Sequence, residues 1–469
     1  MNPLKRFFLF AAVIGAFVAV TPDSLSAQAD TTGRDSTFDV RSLFGERGDR
    51  SSLTITSGKT YNRVEGLPIM IGPTFRGDWH GAAIRLGVLG IIRTAQSAHW
   101  DSDNLGHRVT GEVRFGGRKG YMIGAASFDI VRPVERWQLP EPDAGLAAFF
   151  TKRDYLDWFG RHGARLYASA FAGDVATVDL SYGHERWSSR GQREVISLFR
   201  GADHWRINPA MDDGTMHLFE THVLLDSRNA TLNPWAGWFL DARYEYGTGN
   251  LTSHIPLGAT VMVPLSEARQ APPRRVAYGR AFFDIRKYNR ISPGTQLNAR
   301  VVLGGWLHGD PLPLERRVSI GGPGTLPGFD YRRIGIGTDV GQCAEDDGAA
   351  SLPGRPAMCE RVALAQLEYR NELHSDLIDM FNRNGIRVRG TEFTVRPSAV
   401  AFVDAGRGWL VGNRLGELRY PSGALPSFGS YRTDVGLGLD LGVAGIYVAK
   451  AVSSPKEPAN FLIRIHNRF

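Results

Sequence analysis

Val175-Ala176-Thr177-Val178-Asp179-Leu180-Ser181-Tyr182-Gly183 is the stretch that decides the fold. In an extended chain successive side chains point to opposite sides, so Ala176, Val178, Leu180 and Tyr182 share one face and Thr177, Asp179 and Ser181 the other. The same alternation recurs in both directions along the chain. Over Arg108–Phe115, Val109, Val113 and Phe115 oppose Arg108, Thr110, Glu112 and Arg114. Over Trp238–Tyr246, Trp238, Leu240, Ala242, Tyr244 and Tyr246 oppose Asp241, Arg243 and Glu245. Ala277–Ile285, Leu297–Leu303, Ala365–Leu373, Val435–Leu441 and Phe461–Phe469 behave likewise. A soluble sandwich also alternates, but here the second face is charged in strand after strand. Apolar side chains facing lipid, charged ones facing a wet lumen and backbone groups paired by closure make the expected fold class all-β, a transmembrane antiparallel β-barrel.

Connection lengths then set the topology. Tight connections at Arg76–Gly81, Gly116–Gly120, Gly173-Asp174, Asn289–Gly294 and Gly442–Gly445 alternate with long ones at about 134–162, 187–213, 249–275 and 307–362. In bacterial barrels short turns face the periplasm and long loops the outside. Two connections, Ser227–Gly237 and about 375–395, are longer than usual for the periplasmic side. With both ends periplasmic the strand count is even, and counting back from the C-terminus requires an extra first strand near Ser51–Ser57, ahead of the strand Asn62–Phe75. That gives sixteen. Apolar residues at helical spacing over Gly145–Phe159 predict a short helix, or a loop folded into the mouth, inside the 134–162 connection.

The N-terminus carries Lys5 and Arg6, the apolar run Phe7–Val20 and then Ala27-Gln28-Ala29, the pattern of a cleaved signal peptide. The run is about 14 residues, short of the roughly 20 needed for a helical span. The expected division is therefore signal peptide 1–29, periplasmic linker 30–50 and barrel 51–469, located in the bacterial outer membrane.

The 55 Lys and Arg against 48 Asp and Glu leave a net charge of +7, spread through strands and loops rather than clustered. This argues against nucleic acid and for attraction to anionic lipid headgroups. The chain's two cysteines, Cys343 and Cys359, lie in one polar segment; in an oxidising compartment they form a local disulfide, the alternative being two free thiols. No further ligands cluster beside them, so no metal is expected, and no cofactor either. No G-x-S-x-G, H-E-x-x-H or complete phosphate-binding loop is present, so no catalytic residues are assigned. Gly321-Gly322-Pro323-Gly324 lacks the lysine of a phosphate cradle and reads as a turn.

Five segments together resemble the BamA/TamA-like outer-membrane barrel superfamily, the bacterial surface antigen family. LLDSRNATLNPWAGWFLDARYEYG (224–247) is similar to the family's turn leading into a strand. VSIGGPGTLPGFDYRRIG (318–335) is similar to the tip of its long sixth extracellular loop, which folds into the lumen. LAQLEYRNEL (364–373) resembles the twelfth strand with its glutamate, Glu368, and AFVDAGRGW (401–409) the thirteenth, with Asp404 and Gly406. FLIRIHNRF (461–469) supplies the terminal aromatic strand.

The resemblance implies that Gly321, Gly322, Leu326, Pro327, Gly328 and Phe329 form a lumen motif held against Glu368, Asp404 and Gly406. The family's loop arginine is replaced by Pro327, so Arg332 or Arg333 is the candidate cation for the two wall acids, the alternative being arginines solvated at the loop surface. Phe461, Ile463, Ile465 and Phe469 would form the C-terminal signal recognised by the outer-membrane assembly machinery. No periplasmic POTRA domains are expected before the barrel. By resemblance the protein assists insertion or translocation of proteins, or lipid movement, with outer-membrane lipids and client envelope proteins as partners. A transport channel is the alternative and a surface hydrolase a third reading; a homo-oligomer stays open.

Overall fold

The computed structural model describes residues 51–58, 60–95, 103–199, 205–231, 233–253, 270–329, 358–373, 386–388, 391–393, 397–412, 419–442, 444–465 and 468–469. The expected signal peptide and linker lie outside these residues.

Sixteen strands span the structure. They are β1 (Ser51–Ser57), β2 (Ile69–Trp79), β3 (Ala82–Ile92), β4 (Leu105–Gly116), β5 (Lys119–Pro133), β6 (Trp158–Ala172), β7 (Ala176–Ser189) and β8 (Asp213–Asp226). They continue as β9 (Gly237–Thr252), β10 (Arg274–Ser292), β11 (Thr295–Gly309), β12 (Arg361–Glu372), β13 (Ser398–Val411), β14 (Arg432–Asp440), β15 (Gly445–Ala451) and β16 (Asn460–Arg464). Each pairs antiparallel with the next, from β1–β2 to β15–β16. The two-residue segment Arg419–Tyr420 joins the end of β13 in parallel.

Burial is inverted relative to a soluble protein, and β7 shows it most plainly. Val178, Leu180 and Tyr182 are 42%, 47% and 47% exposed, whereas Asp179 and Ser181 are each 5% exposed. Leu166, Trp238, Val301, Leu303, Leu437 and Ile463 stand outward in the same way. Leaving this apolar band in water would cost about 25 cal/mol per Å². The band belongs in hydrocarbon, and the all-β chain is a transmembrane barrel. Trp79, Tyr121, Trp235 and Trp238 stand exposed at the end that carries the short turns. There Lys287 lies over Trp238 at 4.7 Å and Arg290 over Trp235 at 5.0 Å. Amphipathic rings with cations beside them suit a membrane–water boundary.

The turn chemistry follows the sequence. His80 and Gly81 both have positive φ (46° and 81°) and make a two-residue turn whose twist matches its strands. The longer Ser227–Gly237 connection is organised by its own side chains. Asp226 clamps Arg228 at 2.6 Å, and Asn229 Oδ1 accepts from the backbone N–H groups of Trp235 and Ala236. The β12–β13 connection contains a small hairpin, Ile386–Val388 with Thr391–Phe393.

Three sequence expectations need correction. The second strand starts at Ile69 rather than near Asn62, because Asn62 folds back on Gly66 through a reciprocal pair of backbone hydrogen bonds. The helix, α1, spans Glu141–Thr151. It starts four residues earlier than expected because Pro142 and the acidic Glu141 and Asp143 suit a first turn, and it ends at Lys152 in the left-handed region. The last strand stops at Arg464, and Phe469 does not continue its outward face. Phe461, Ile463 and Ile465 face outward, but Phe469 is buried against Tyr288, ring centroids 6.4 Å apart.

Candidate functional site

The lumen is packed by inserted segments. One is the β11–β12 loop, sixth among the long loops, whose described residues run to Phe329 and resume at Met358. It enters through a single 3-10 turn, Leu314–Arg316, and Val318 then exchanges backbone hydrogen bonds with Cys359 at 3.0 and 2.6 Å. Cys359 is disulfide-bonded, and Cys343, the other member of the expected pair, lies outside the described residues.

Beyond Val318 the chain curls into a compact tip. The Gly322 N–H lies within reach of the Leu326 and Phe329 carbonyls, and the Gly321 N–H donates to Thr325 Oγ1 at 2.8 Å. Val318, Ile320, Leu326 and Phe329 pack against Val302, Val362, Leu364, Leu410 and Ala451 of the inner wall. Burying side chains of this size contributes about 1.5–3 kcal/mol each.

Polar contacts fix the tip's register on the wall. The Gly328 N–H donates to Asp434 Oδ2 at 2.6 Å, Gln366 Nε2 to the Thr325 carbonyl at 2.9 Å, and Asn460 Nδ2 to the Pro327 carbonyl at 3.0 Å. Gly406 lies beneath Ile320, where a Cβ would meet Ile320 Cδ1 at 2.6 Å. At the loop's base Arg316 pairs with Glu245 at 2.8 Å and lies 4.4 Å from the Trp187 ring.

A second insertion, the β5–β6 connection, holds the first. Glu135 accepts from the Ser319 backbone N–H at 2.9 Å and from its hydroxyl at 2.6 Å, and Gln138 Nε2 donates to Ser319 Oγ at 2.8 Å. Arg300, on the wall, pairs with Asp284 at 2.8 Å and donates to the Trp137 carbonyl at 2.9 Å. A third insertion, the β1–β2 connection, places Arg63 against Asp154 and Asp157 at 2.8 and 2.9 Å.

The wall residues implied by the resemblance all face this interior. Glu368 lies on β12 and Asp404 and Gly406 on β13, the twelfth and thirteenth strands. Arg332 and Arg333 lie outside the described residues, so their contact with the two acids does too. Among the described residues, Glu368 pairs with Arg370 at 3.1 Å, and Asp404 with Arg468. The cation at Asp404 therefore comes from the chain's last residues, which turn inward after β16. Arg464 supports that turn, donating to the Arg468 carbonyl at 3.1 Å and lying 3.6 Å from Asp143 of α1.

Asp434, Gln366, Glu245 and Arg316 were not singled out from the sequence. Asp434 was within reach: it precedes the outward Val435 and so has inward parity, directly opposite Asp404. Arg316, Glu135 and Gln138 lie in irregular segments, where no period announces them.

Glu315 is expected to make the interior sensitive to pH. It is fully buried beside Asp212, and neither carboxylate oxygen has a hydrogen-bond partner among the described residues. Burial, reinforced by the Asp212 carboxylate, holds its pKa well above the ordinary 4.5. A carboxyl with a raised folded-state pKa contributes stability that is complete below the unfolded value and is lost as pH rises through the folded one. The loop base is thus expected to loosen as pH climbs above 4.5. Limited proteolysis across pH reads this directly. Glu315→Gln should flatten the profile, and an unchanged slope would remove Glu315 as its cause.

The chain is similar in fold to BamA from Haemophilus ducreyi lacking POTRA domains 1–3, at 14% identity, over 89% of this chain and 70% of that one, with a TM-score of 0.49. It is also similar to CdiB from Acinetobacter baumannii (11% identity, 89% of this chain, 61% of that chain, TM-score 0.34). CdiB from Escherichia coli gives 11% identity, 89% of this chain, 62% of that chain and a TM-score of 0.35. No family model and no curated protein matches. With identities of 11–14% and TM-scores below 0.5, the functional reading rests on this chain's own residues.

Proposed function

We propose that the protein is a bacterial outer-membrane barrel that assists insertion or translocation of proteins, or lipid movement, through a lateral seam between β1 and β16. The observation that carries this reading is the seam itself. Fifteen neighbouring strand pairs have a backbone register, but among the described residues none joins β1 to β16. Both flanking strands are short, seven and five residues against nineteen for β10. An unpaired strand edge in hydrocarbon is costly and is relieved by accepting another strand. The packed lumen supports the same reading, since the inserted loops occupy the path that an open pore would use.

Cysteine pairs linking Leu53 or Ile55 to Phe461 or Ile463, with Cys343 and Cys359 left in place, test it. Cross-linking the seam in cells should abolish the activity, read as impaired envelope integrity relative to each single-cysteine strain. Planar-bilayer recording should show little steady conductance. A large stable pore, unchanged by the cross-link, would instead establish the transport channel.

A further inference from the structure

Just inside the end that carries the short turns, β2–β5 line a recess of about 270 Å³ that the seam does not use. Its charged residues are Arg76, Asp78, Arg85, Glu112 and Arg114, and Met122 lies in its lining. Three guanidinium groups against two carboxylates leave it net positive.

The register makes this placement unusual. Arg76 lies directly opposite Arg85, and Arg85 directly opposite Glu112. Like charges facing each other across adjacent strands are destabilising unless something lies between them. Glu112 lies 3.9 Å from Arg85 and also accepts the Tyr167 hydroxyl at 2.7 Å. Among the described residues no carboxylate pairs with Arg76. Arg114, which also lines the recess, donates to the Gly117 carbonyl at 3.1 Å and lies 4.1 Å from the Phe171 ring.

We propose that this recess binds the phosphate group of a ligand from the turn side of the barrel. Guanidinium groups carried on β2, β3 and β4 around one recess suit an anion whose acceptor oxygens do not share one plane. The tetrahedral oxygens of a phosphate, monoester or diester, are arranged in this way, whereas a single carboxylate offers two in one plane. The same chemistry serves a phospholipid headgroup or a soluble phosphate.

The test uses the full chain refolded in a zwitterionic detergent, with calorimetric titration at low salt. The probes are inorganic phosphate and monomeric dihexanoyl phosphatidylglycerol. Arg76→Gln with Arg85→Gln should weaken binding at least tenfold, while Arg290→Gln, outside the recess, leaves it unchanged. Arg76→Lys should keep part of it, because it keeps the charge without the fork, and heat-modifiable migration checks that each variant folds. Tighter binding of the headgroup probe assigns the site to lipid, and binding of phosphate at least as tight assigns it to soluble phosphates; both support the proposal. No saturable binding of either probe overturns it, as does equal binding by the folded double variant.

Discussion

Arg316→Ala is expected to release the sixth loop from the wall and to lower barrel stability by about 3–5 kcal/mol, the usual result of removing one partner from a buried ion pair. Arg316 is almost fully buried, pairs with Glu245 at 2.8 Å and lies over Trp187. Without it Glu245 keeps Arg280, at 3.0 Å, but loses the cation that ties the loop to β9. Two measurements report the change: the temperature at which the heat-modifiable band converts, and the rate of trypsin cleavage within 310–329. Arg316→Lys should fall between wild type and Ala, retaining charge but not the planar stacking on Trp187. A cycle with Glu245→Gln should give a coupling energy above about 1 kcal/mol, as expected of groups in one buried network. Coupling near zero would show that the contact is incidental.

Gly328→Ala is expected to undock the loop tip while leaving the barrel folded. A Cβ at Gly328 would lie 2.6 Å from the Ala451 backbone nitrogen and 2.6 Å from Asp434 Cβ. Backbone of a paired strand cannot yield as a flexible side-chain end can, so the tip must move. Overpacking costs about 1–3 kcal/mol, and loss of the bond from the Gly328 N–H to Asp434 adds about 0.5–1.5 kcal/mol. The expected signature is rapid proteolysis near Leu326 and Phe329 with heat-modifiable migration preserved. Pro327→Ala is the matched control, since Pro327 meets Asn460 through its carbonyl, which alanine retains. Equal effects from the two substitutions would mean that the tip is not seated by close approach at Gly328.

Much of the barrel was legible because its environment has two solvents and its strands have period two. Val178 against Asp179 and Trp238 against Asp241 state which face meets lipid, and that rule carries through the sixteen strands. Parity reached as far as Ser51–Ser57, a strand with little apolar signal of its own. The candidate site was legible in part. Glu368, Asp404 and Gly406 face the interior from β12 and β13, and Gly328 makes a close approach to Ala451 and Asp434, positions that restrict residue type. The partners of the acids escaped notice. Arg370 is two residues from Glu368 on the same face, an intrastrand pair that alternation treats as two more polar positions. Arg468 reaches Asp404 only because the chain turns inward after Arg464, and a continuing period cannot forecast its own interruption. Tertiary contacts of irregular segments, such as Glu135 with Ser319, have no local sequence signature.

The alternation seen first in β7 has a consequence for how such a chain can diverge. Lipid is a fluid neighbour that conforms to whatever side chain it meets, so Val178, Leu180 and Tyr182 can drift among apolar shapes with little penalty. Asp284 with Arg286 and Arg300 has no such latitude, because changing one member strands a charge. In descendants of this chain the outward positions should vary freely and singly. The inward ones should change rarely and in company, so that ancestry would be traced more faithfully through the interior charges than through the far more numerous apolar residues around them.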